Sequence, residues 1–342
     1  MDEKRKYVSV IIPTYNGSET IGRALESLKN QSMKNFEVVI VDDNGVGTKE
    51  QLATENVISK YKKALNIKYI AHKRNNNGAA ARNTGIHESE GEYICFLDDD
   101  DIYLEDRIKN ALHKIEYTKC DFVFCNVIIQ RNGQLVGIVK TEIYDDIQKA
   151  LLLNTGLFGT GSNIFVRKKI CVEIKGFNEE YYRRQDNEFL LRALEKCTYC
   201  VIDSIDIVKI NNGINNIPSY EKLISSNKRY FQDFKYLIEK LSKKETNKFF
   251  ASQYSWIYFC CLMKNDTSNS KKVLLKLKSY RRLTLTEQFQ TFLTKIRFNT
   301  VSGLQLLQPF MSKGKSLIKK RRLLNQLDNH VIEQLKRFEI LT

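Results

Sequence analysis

The chain has 342 residues, of which 42% are hydrophobic and 28% charged, with 3 prolines, 16 glycines and a formal net charge of +15. That balance predicts a packed core and excludes general disorder, collagen-like repeats and turn-rich all-β architectures. The longest apolar run, Trp256 to Met263, has eight residues, far short of the ~18 that span a bilayer. The first residues, Met1-Asp2-Glu3-Lys4-Arg5-Lys6, lead straight into the strand-like Val8–Ile12. No signal-peptide core is read there, and a cytoplasmic location is expected. Cysteines at Cys95, Cys125, Cys171, Cys260 and Cys261 sit in apolar stretches, as small buried hydrophobes do. Cys197-Thr198-Tyr199-Cys200 reads as a strand edge, because the second pair that zinc would need is missing.

In chain order, Val8–Ile12 is a buried strand stopped by Pro13. Ile21, Leu25 and Leu28 then recur at helical spacing, with Ser18 as the expected N-cap. Phe36–Val41 is the next strand, ending in Asp42-Asp43-Asn44-Gly45, and a helix is expected from about Gln51 to Ala64. The strand Ile67–Ala71, a short helix from Gly78 and the strand Tyr93–Leu97 follow. Leu104, Ile108, Leu112 and Ile115 form another helical stripe before the strand Phe122–Cys125. Repeated strand–helix–strand units predict an α/β fold with a mostly parallel sheet covered by helices on both faces. Ligands bind such sheets beyond the carboxyl ends of the strands.

The charge divides the chain. Residues 215–342 carry 25 Lys and Arg against 9 Asp and Glu, whereas the first 214 carry 30 against 31. Asn211 to Pro218 reads as the linker, giving a domain at 1–214 and a basic helical domain at 215–342. In the latter, Leu223, Tyr230, Phe234, Leu237 and Leu241 keep a helical rhythm, as do Phe249, Tyr254, Ile257 and Cys261. Lys271–Lys278 and Lys313–Arg322 interleave basic and apolar residues, so these helices either lie on anionic lipid or cap the first domain with a solvated basic face.

The acids stand at strand ends. Asp98-Asp99-Asp100-Asp101 repel one another unless a cation neutralises them, and oxygen-only ligands favour Mg²⁺ or Mn²⁺ held by one or two carboxylates plus substrate phosphates. Alternatively, Asp101 caps the helix near Leu104 and the others are solvated. Asp42-Asp43 are either turn residues or acceptors for a nucleobase N–H or a ribose hydroxyl. Gly78 to Gly85 opens a helix whose N-terminus and Arg82 suit a diphosphate, unless Arg82 is merely solvated. Asp186 is an N-cap, a general base, or both.

These residues, in this order, resemble the inverting family 2 glycosyltransferases of GT-A fold, of the bacterial surface-polysaccharide type. The matching pieces are Pro13-Thr14-Tyr15-Asn16, Val41-Asp42-Asp43, Gly78 to Gly85, Gly91 to Ile94, Phe96 to Asp101, Gly176 to Glu179 and Gln185 to Arg192. The resemblance implies a nucleotide-sugar donor, most often a UDP-sugar, and Mn²⁺ or Mg²⁺. It implies that Thr14, Tyr15 and Asp43 hold the uracil with Arg82 nearby, that Asp98 meets the ribose and that Asp100 ligates the metal. Pro13, Asn16, Asp42 and Asp99 complete the nucleotide site, and Asp186 matches the base. The sequence departs from the family at Gln185, where Glu is usual, and at Asn44-Gly45-Val46-Gly47, where Gly-Ser is commoner.

The expected reaction is a single inverting transfer to a hydroxyl of a glycan or lipid-linked glycan, without processivity. Residues 155–163 are expected to shape acceptor choice, with Gly161, Ser162 and Gln185 as the acceptor candidates. The expected placement is cytoplasmic, with peripheral attachment to the inner membrane face, and the C-terminal helices offer faces for an oligomer. Two other readings stand beside this one. A nucleotidyltransferase would want a basic Gly-rich phosphate loop after the first strand, which Pro13 to Gly17 does not supply. A nucleic-acid-binding protein would use the basic C-terminal region, but the front half lacks the charge for it, and no nucleic acid is expected.

Overall fold

Short runs of β-branched residues alternate with amphipathic stretches, and this alternation builds the sheet. The computed structural model describes residues 7–155, 158–211, 217–295, 323–324 and 326–340. It begins with strand β1 (Val8–Thr14), helix α1 (Ile21–Lys29), strand β2 (Phe36–Asp42), helix α2 (Lys49–Ser59), strand β3 (Ile67–Ala71) and helix α3 (Gly78–Glu88). Strand β4 (Tyr93–Phe96), the two-residue β5 (Ile102–Tyr103), helix α4 (Arg107–Thr118), strand β6 (Phe122–Arg131) and strand β7 (Gln134–Val139) follow. Then come helix α5 (Ile147–Leu152), a 3₁₀ turn at Gly161–Asn163, strand β8 (Phe165–Arg167), helix α6 (Lys168–Glu173), helix α7 (Gln185–Ala193) and strand β9 (Tyr199–Asn211).

The sheet runs β3-β2-β1-β4-β8-β6-β9-β5, with β7 paired to β6. The expected parallel pairing is found for β1 with β2 and β4, for β2 with β3, and for β6 with β9. Strands β5, β7 and β8 are antiparallel to their partners. None of these three is among the strands expected from the sequence, and β5 and β8, two and three residues long, are too short to carry a readable period. Val10, Ile12, Val38 and Ile40 point into the same core as Ile21, Ala24, Leu25 and Leu28 of α1. On α3, small residues bring helix and sheet together: a Cβ on Gly85 would lie 2.3 Å from Ile11 Cγ2.

Several boundaries differ from the sequence reading. Helix α1 is preceded by Thr20, not Ser18, as N-cap, and α2 ends at Ser59 rather than near Ala64. Asp101 caps no helix. Helix α4 starts at Arg107 after Asp106, and Leu104 lies outside it, its N–H donating to Asp206 O at 2.8 Å. Strand β6 continues six residues past Cys125 because it is paired along its length with β9. Cys200, read as a plain strand-edge residue, is disulfide-bonded to Cys120, which the pairing of Val123 with Cys200 brings alongside.

The chain divides into two compact units. One holds the described residues of Met1–Ile147, Thr155–Gly213 and Leu323–Thr342, and the other those of Gln148–Asn154 and Ile214–Arg322. The second unit is helical: α8 (Tyr220–Asp233), α9 (Lys235–Ile238), α10 (Lys243–Met263), α11 (Thr267–Lys278) and α12 (Leu285–Lys295). Ile257, Tyr258, Cys261 and Leu262 of α10 pack on Val273 and Leu274 of α11. Val273 and Leu274 of α11 are therefore buried against its neighbour, while Leu275, Lys271, Lys272, Lys276 and Lys278 remain exposed. Lys313–Arg322 lies outside the described residues. No described helix is long and apolar enough to cross a membrane.

The end of the chain joins the first unit, so this unit is not continuous in sequence as a single boundary near 214 would make it. Helix α13 (Asn329–Arg337) is amphipathic, with Asp328 as N-cap accepting from Val331 N at 2.8 Å. Its Val331 and Leu335 pack with Ile102, Leu104, Val208 and Ile210. Gln334 Oε1 accepts from Glu105 N at 2.7 Å, only a few residues beyond the acid run. Because Leu335 is fully buried in this contact, Leu335→Ala should cost about 2–5 kcal/mol of stability in chemical denaturation. A change within experimental error would mean that the helix contributes nothing to the fold of this unit.

Candidate active site

The carboxyl ends of β1, β2 and β4 place three acidic or polar segments side by side, and each is held by a different set of bonds. After β2, Asp42 is fully buried. It accepts from Asn44 N at 2.9 Å, Asn44 Nδ2 at 2.8 Å and Tyr69 Oη at 2.8 Å. Burial raises its carboxyl above the usual range, against these hydrogen bonds. Asp43 is likewise enclosed: Oδ1 accepts from His72 Nδ1 at 2.7 Å and Asn76 N at 2.9 Å, and Oδ2 from Asn75 Nδ2 at 2.9 Å and Asn77 N at 2.8 Å. His72 Nε2 lies 2.9 Å from Thr84 Oγ1, tying this clamp to α3. Both aspartates therefore shape the wall at the end of β2 from within. The edge open to solvent there is Tyr15, 48% exposed, beside Pro13 and Asn16.

Asn16 has φ 57° and its N–H donates to Asn44 Oδ1 at 2.8 Å, which fastens the β1 end to the β2 end. Thr14 Oγ1 donates to Asp99 Oδ2 at 2.5 Å. A Cβ on Gly17 would sit 2.0 Å from Asp99 Oδ2 and 2.3 Å from Thr14 Oγ1, so a side chain there would displace the Thr14–Asp99 bond. Asp99 thus belongs to the junction of β1 and β4. Its carboxyl is pushed up to about 6 by burial, with repulsion from Asp98 and Asp101 adding to it.

Asp98 pairs with Arg82, whose Nη2 donates to Asp98 Oδ1 at 2.6 Å. The Arg82 Nη1 donates to Gln185 Oε1 at 3.0 Å, and the guanidinium lies over the Phe177 ring, 5.6 Å from its centroid. Arg82 is accordingly a bridge and not a solvated helix residue. Gln185 Nε2 in turn donates to Tyr181 O at 2.7 Å, so the residue that departs from the family pattern fastens α7 to α3. The N-terminus of α3, expected to face an anion, is capped by its own Asn77, whose Oδ1 accepts from Ala79 N at 2.8 Å and Ala80 N at 3.2 Å.

Asp100 is the member of the run left open to solvent. Its carboxyl is pushed up to about 7, by desolvation first and then by the charges of Asp98 and Asp99, while Lys209 opposes the shift. With its surface open, the repulsion is the durable part of that shift, and it is the part a cation would cancel. The donor set is all oxygen: Asp100, with Asp98 alongside, suits a hard divalent ion completed by phosphate oxygens and water. Among the described residues no group of three or more His, Cys, Asp or Glu makes a metal cage of its own. Lys209, on β9, has its Nζ bonded to Gly159 O at 3.0 Å and was not found by sequence reasoning. It lies more than a hundred residues after the acid run, so sheet pairing brings it there.

Asp186 is the second residue of α7, behind an N-cap at Arg184 with φ 61°, so it is not itself the cap. Gly161 marks where it meets the other groups. A Cβ built there would lie 3.8 Å from Asp186 Cβ, 3.8 Å from Asp98 Oδ2 and 3.9 Å from Arg82 Nη2. Side chains from α3, the acid run and α7 thus face one bare Cα. Ser162 is fully buried. Its hydroxyl donates to Asp101 Oδ2 at 2.6 Å and accepts from Asp98 N at 3.0 Å, so it is internal rather than presented to an acceptor.

An α/β sheet with acids gathered at the carboxyl ends of its strands places its ligand site beyond those ends. The glycosyl transferase family 2 model matches residues 9–175, a span that stops before Asp186. The chain is 33% identical over 192 residues to the amylovoran biosynthesis glycosyltransferase AmsB of Erwinia amylovora, covering 54% of this chain and 63% of that protein. It is 30% identical over 258 residues to an uncharacterized glycosyltransferase of Methanocaldococcus jannaschii, covering 74% of this chain and 84% of that one. The crystal structure of S. aureus TarS residues 1–349 in complex with UDP-GlcNAc superposes with a TM-score of 0.53 at 19% identity, covering 81% of this chain and 93% of that one. The chain belongs to the family 2 glycosyltransferases, and it shares the α/β fold of TarS.

The crowded acids give a pH signature. The raised carboxyls, at about 6 for Asp99 and about 7 for Asp100 and Asp101, lie above the ~4 of an unfolded aspartate. The folded state then binds more protons than the unfolded one between these values, so this cluster favours folding as pH falls through that window. In EDTA, the Tm of the wild type relative to Asp100→Asn should rise as pH is lowered from about 8 to about 6. Parallel Tm curves for the two proteins across this range would contradict the repulsion.

Proposed function

We propose that the chain transfers a sugar from a UDP-sugar to a hydroxyl of a glycan or lipid-linked glycan in surface-polysaccharide synthesis. The transfer is metal-dependent, inverting and non-processive. The observation that supports this reading is the convergence of Asp98, Arg82 and Asp186 around Gly161, which brings the acid run and the candidate base to one place. AmsB, named for amylovoran biosynthesis, supports the polysaccharide setting, and TarS crystallised with UDP-GlcNAc supports the donor class.

The residues divide the work. Tyr15, exposed at the end of β1, lies against the uracil, while Pro13, Thr14, Asn16, Asp42 and Asp43 form and fix the wall behind it. Asp98, oriented by Arg82, accepts from the ribose. Asp100 would hold Mn²⁺ or Mg²⁺, which would supply neutralisation for the charge on the leaving diphosphate. Asp186 accepts the proton of the acceptor hydroxyl as that oxygen attacks the anomeric carbon from the face opposite the leaving group. Gln185 keeps α7 in place for this through Arg82 and Tyr181.

Incubation with UDP-sugars and Mn²⁺, followed by detection of released UDP, tests the activity, and proton NMR of the new linkage tests inversion. Asp186→Asn should lower turnover by about 10²–10⁴ while UDP binding persists. Near-wild-type turnover would remove Asp186 as the base. A retained anomeric configuration would overturn the single-displacement mechanism.

The exposed lysines of α11 support adsorption to anionic lipid, at ~1 kcal/mol for each basic residue near the surface. Because Val273, Leu274 and Leu277 of that helix are buried and Leu275 is the apolar side chain exposed beside the lysines, attachment is mainly electrostatic. The protein should sediment with acidic liposomes at low salt and leave them at high salt. Absence from the pellet at every ionic strength would refute membrane attachment.

A further inference from the structure

We propose that Asp101, the last member of the acid run, is a positioning residue that sets the gap between Asp98 and Asp186 through the Thr160–Asn163 turn and does not ligate the metal. The inference rests on the glycosyl-transfer reading above. Asp101 is 1% exposed and both of its oxygens are committed. Oδ2 accepts from Thr160 Oγ1 at 2.7 Å and Ser162 Oγ at 2.6 Å, and Oδ1 accepts from Ile210 N at 3.2 Å. Ser162 Oγ also accepts from Asp98 N at 3.0 Å. One carboxylate therefore links the acid run, the turn and β9.

The same turn is gripped from the other side. Tyr103 Oη lies 2.9 Å from Ser162 O, and the buried Arg107 donates to Asn163 O at 2.9 Å. Asn163 brackets the backbone of Cys125, donating to its O at 2.7 Å and accepting from its N at 2.9 Å. With so many of its polar groups fixed, the turn carries Gly161 as a rigid spacer. Gly161 is the residue facing Asp98, Arg82 and Asp186 at once. A displaced turn would change the distance between the donor side and the base, leaving Asp100 as it is. Loss of Asp101 should therefore be read in the transfer step, and much less in nucleotide binding.

The test compares wild type with Asp101→Asn, Thr160→Val, Ser162→Ala and the Asp101→Asn/Thr160→Val double variant. UDP–Mn²⁺ affinity is measured by calorimetry, and kcat is resolved from the KM for the donor. Asp101→Asn should lower kcat by about 10- to 100-fold with UDP–Mn²⁺ affinity within about twofold of wild type. The double variant should be less impaired than the product of its single effects, because both act through one bond.

An equal loss of UDP–Mn²⁺ affinity in Asp101→Asn would make Asp101 a ligand and overturn the proposal. So would unchanged kcat in both Thr160→Val and Ser162→Ala, the two variants that decide the matter should Asp101→Asn fail to fold. If the wild type neither binds UDP nor releases it from any UDP-sugar, the glycosyl-transfer reading itself fails. Hydrogen exchange at amides 98 and 161–163 then decides the positioning role separately: faster exchange in the hydroxyl-deletion variants supports it, and unchanged exchange ends it.

Discussion

Mutual repulsion among carboxylates at the strand ends is the constraint around which this site is built. Four consecutive aspartates cannot all face one another in a partly buried loop without compensation, because like charges at short range disfavour ionisation. The fold answers residue by residue. Asp98 receives the Arg82 guanidinium, Asp99 receives the Thr14 hydroxyl, and Asp101 is withdrawn under the sheet onto Thr160, Ser162 and Ile210. Asp100 is left with the charges of its neighbours, opposed by Lys209. A site left in that state is suited to a cation, which makes an otherwise unfavourable cluster useful.

The same economy of partners appears at the end of β2. Asp42 and Asp43 look interchangeable in sequence, yet one organises its own turn and Tyr69, while the other collects two backbone N–H groups from the segment that leads into α3. Satisfying buried acceptors in this way fixes loops that would otherwise fluctuate. Arg82 does for the helices what these aspartates do for the strands, since it touches Asp98, Gln185 and the Phe177 ring together. Asp98, α3, α7 and the ring of Phe177 are therefore tied together through one guanidinium.

The charge asymmetry of the chain has a comparable physical basis. The acids that serve the site are concentrated in the first unit, and the lysines of α11 are kept exposed by burial of Val273, Leu274 and Leu277. The returning C-terminal helix shows that position along the chain is a poor guide to membership of a folded unit. Val331 and Leu335 find their apolar partners on strands more than a hundred residues earlier.

The amino-acid pattern alone was enough for the α/β class, the parallel order of the first strands and the placement of Asp42, Asp43 and Asp98–Asp101 at strand ends. These features follow from local hydrophobic period and from turn residues, both of which are written over a few consecutive positions. Arg82 and Asp186 were visible as chemistry-bearing residues, but their common neighbour Gly161 was not visible as the point where they meet. The division of labour within the acid run, the clamp on Asp43, the capping of α3 by Asn77, Lys209 beside Asp100 and the docking of α13 were decided only by the folded chain. Each depends on a contact between distant segments, and such contacts are set by sheet pairing and packing, which no local period encodes.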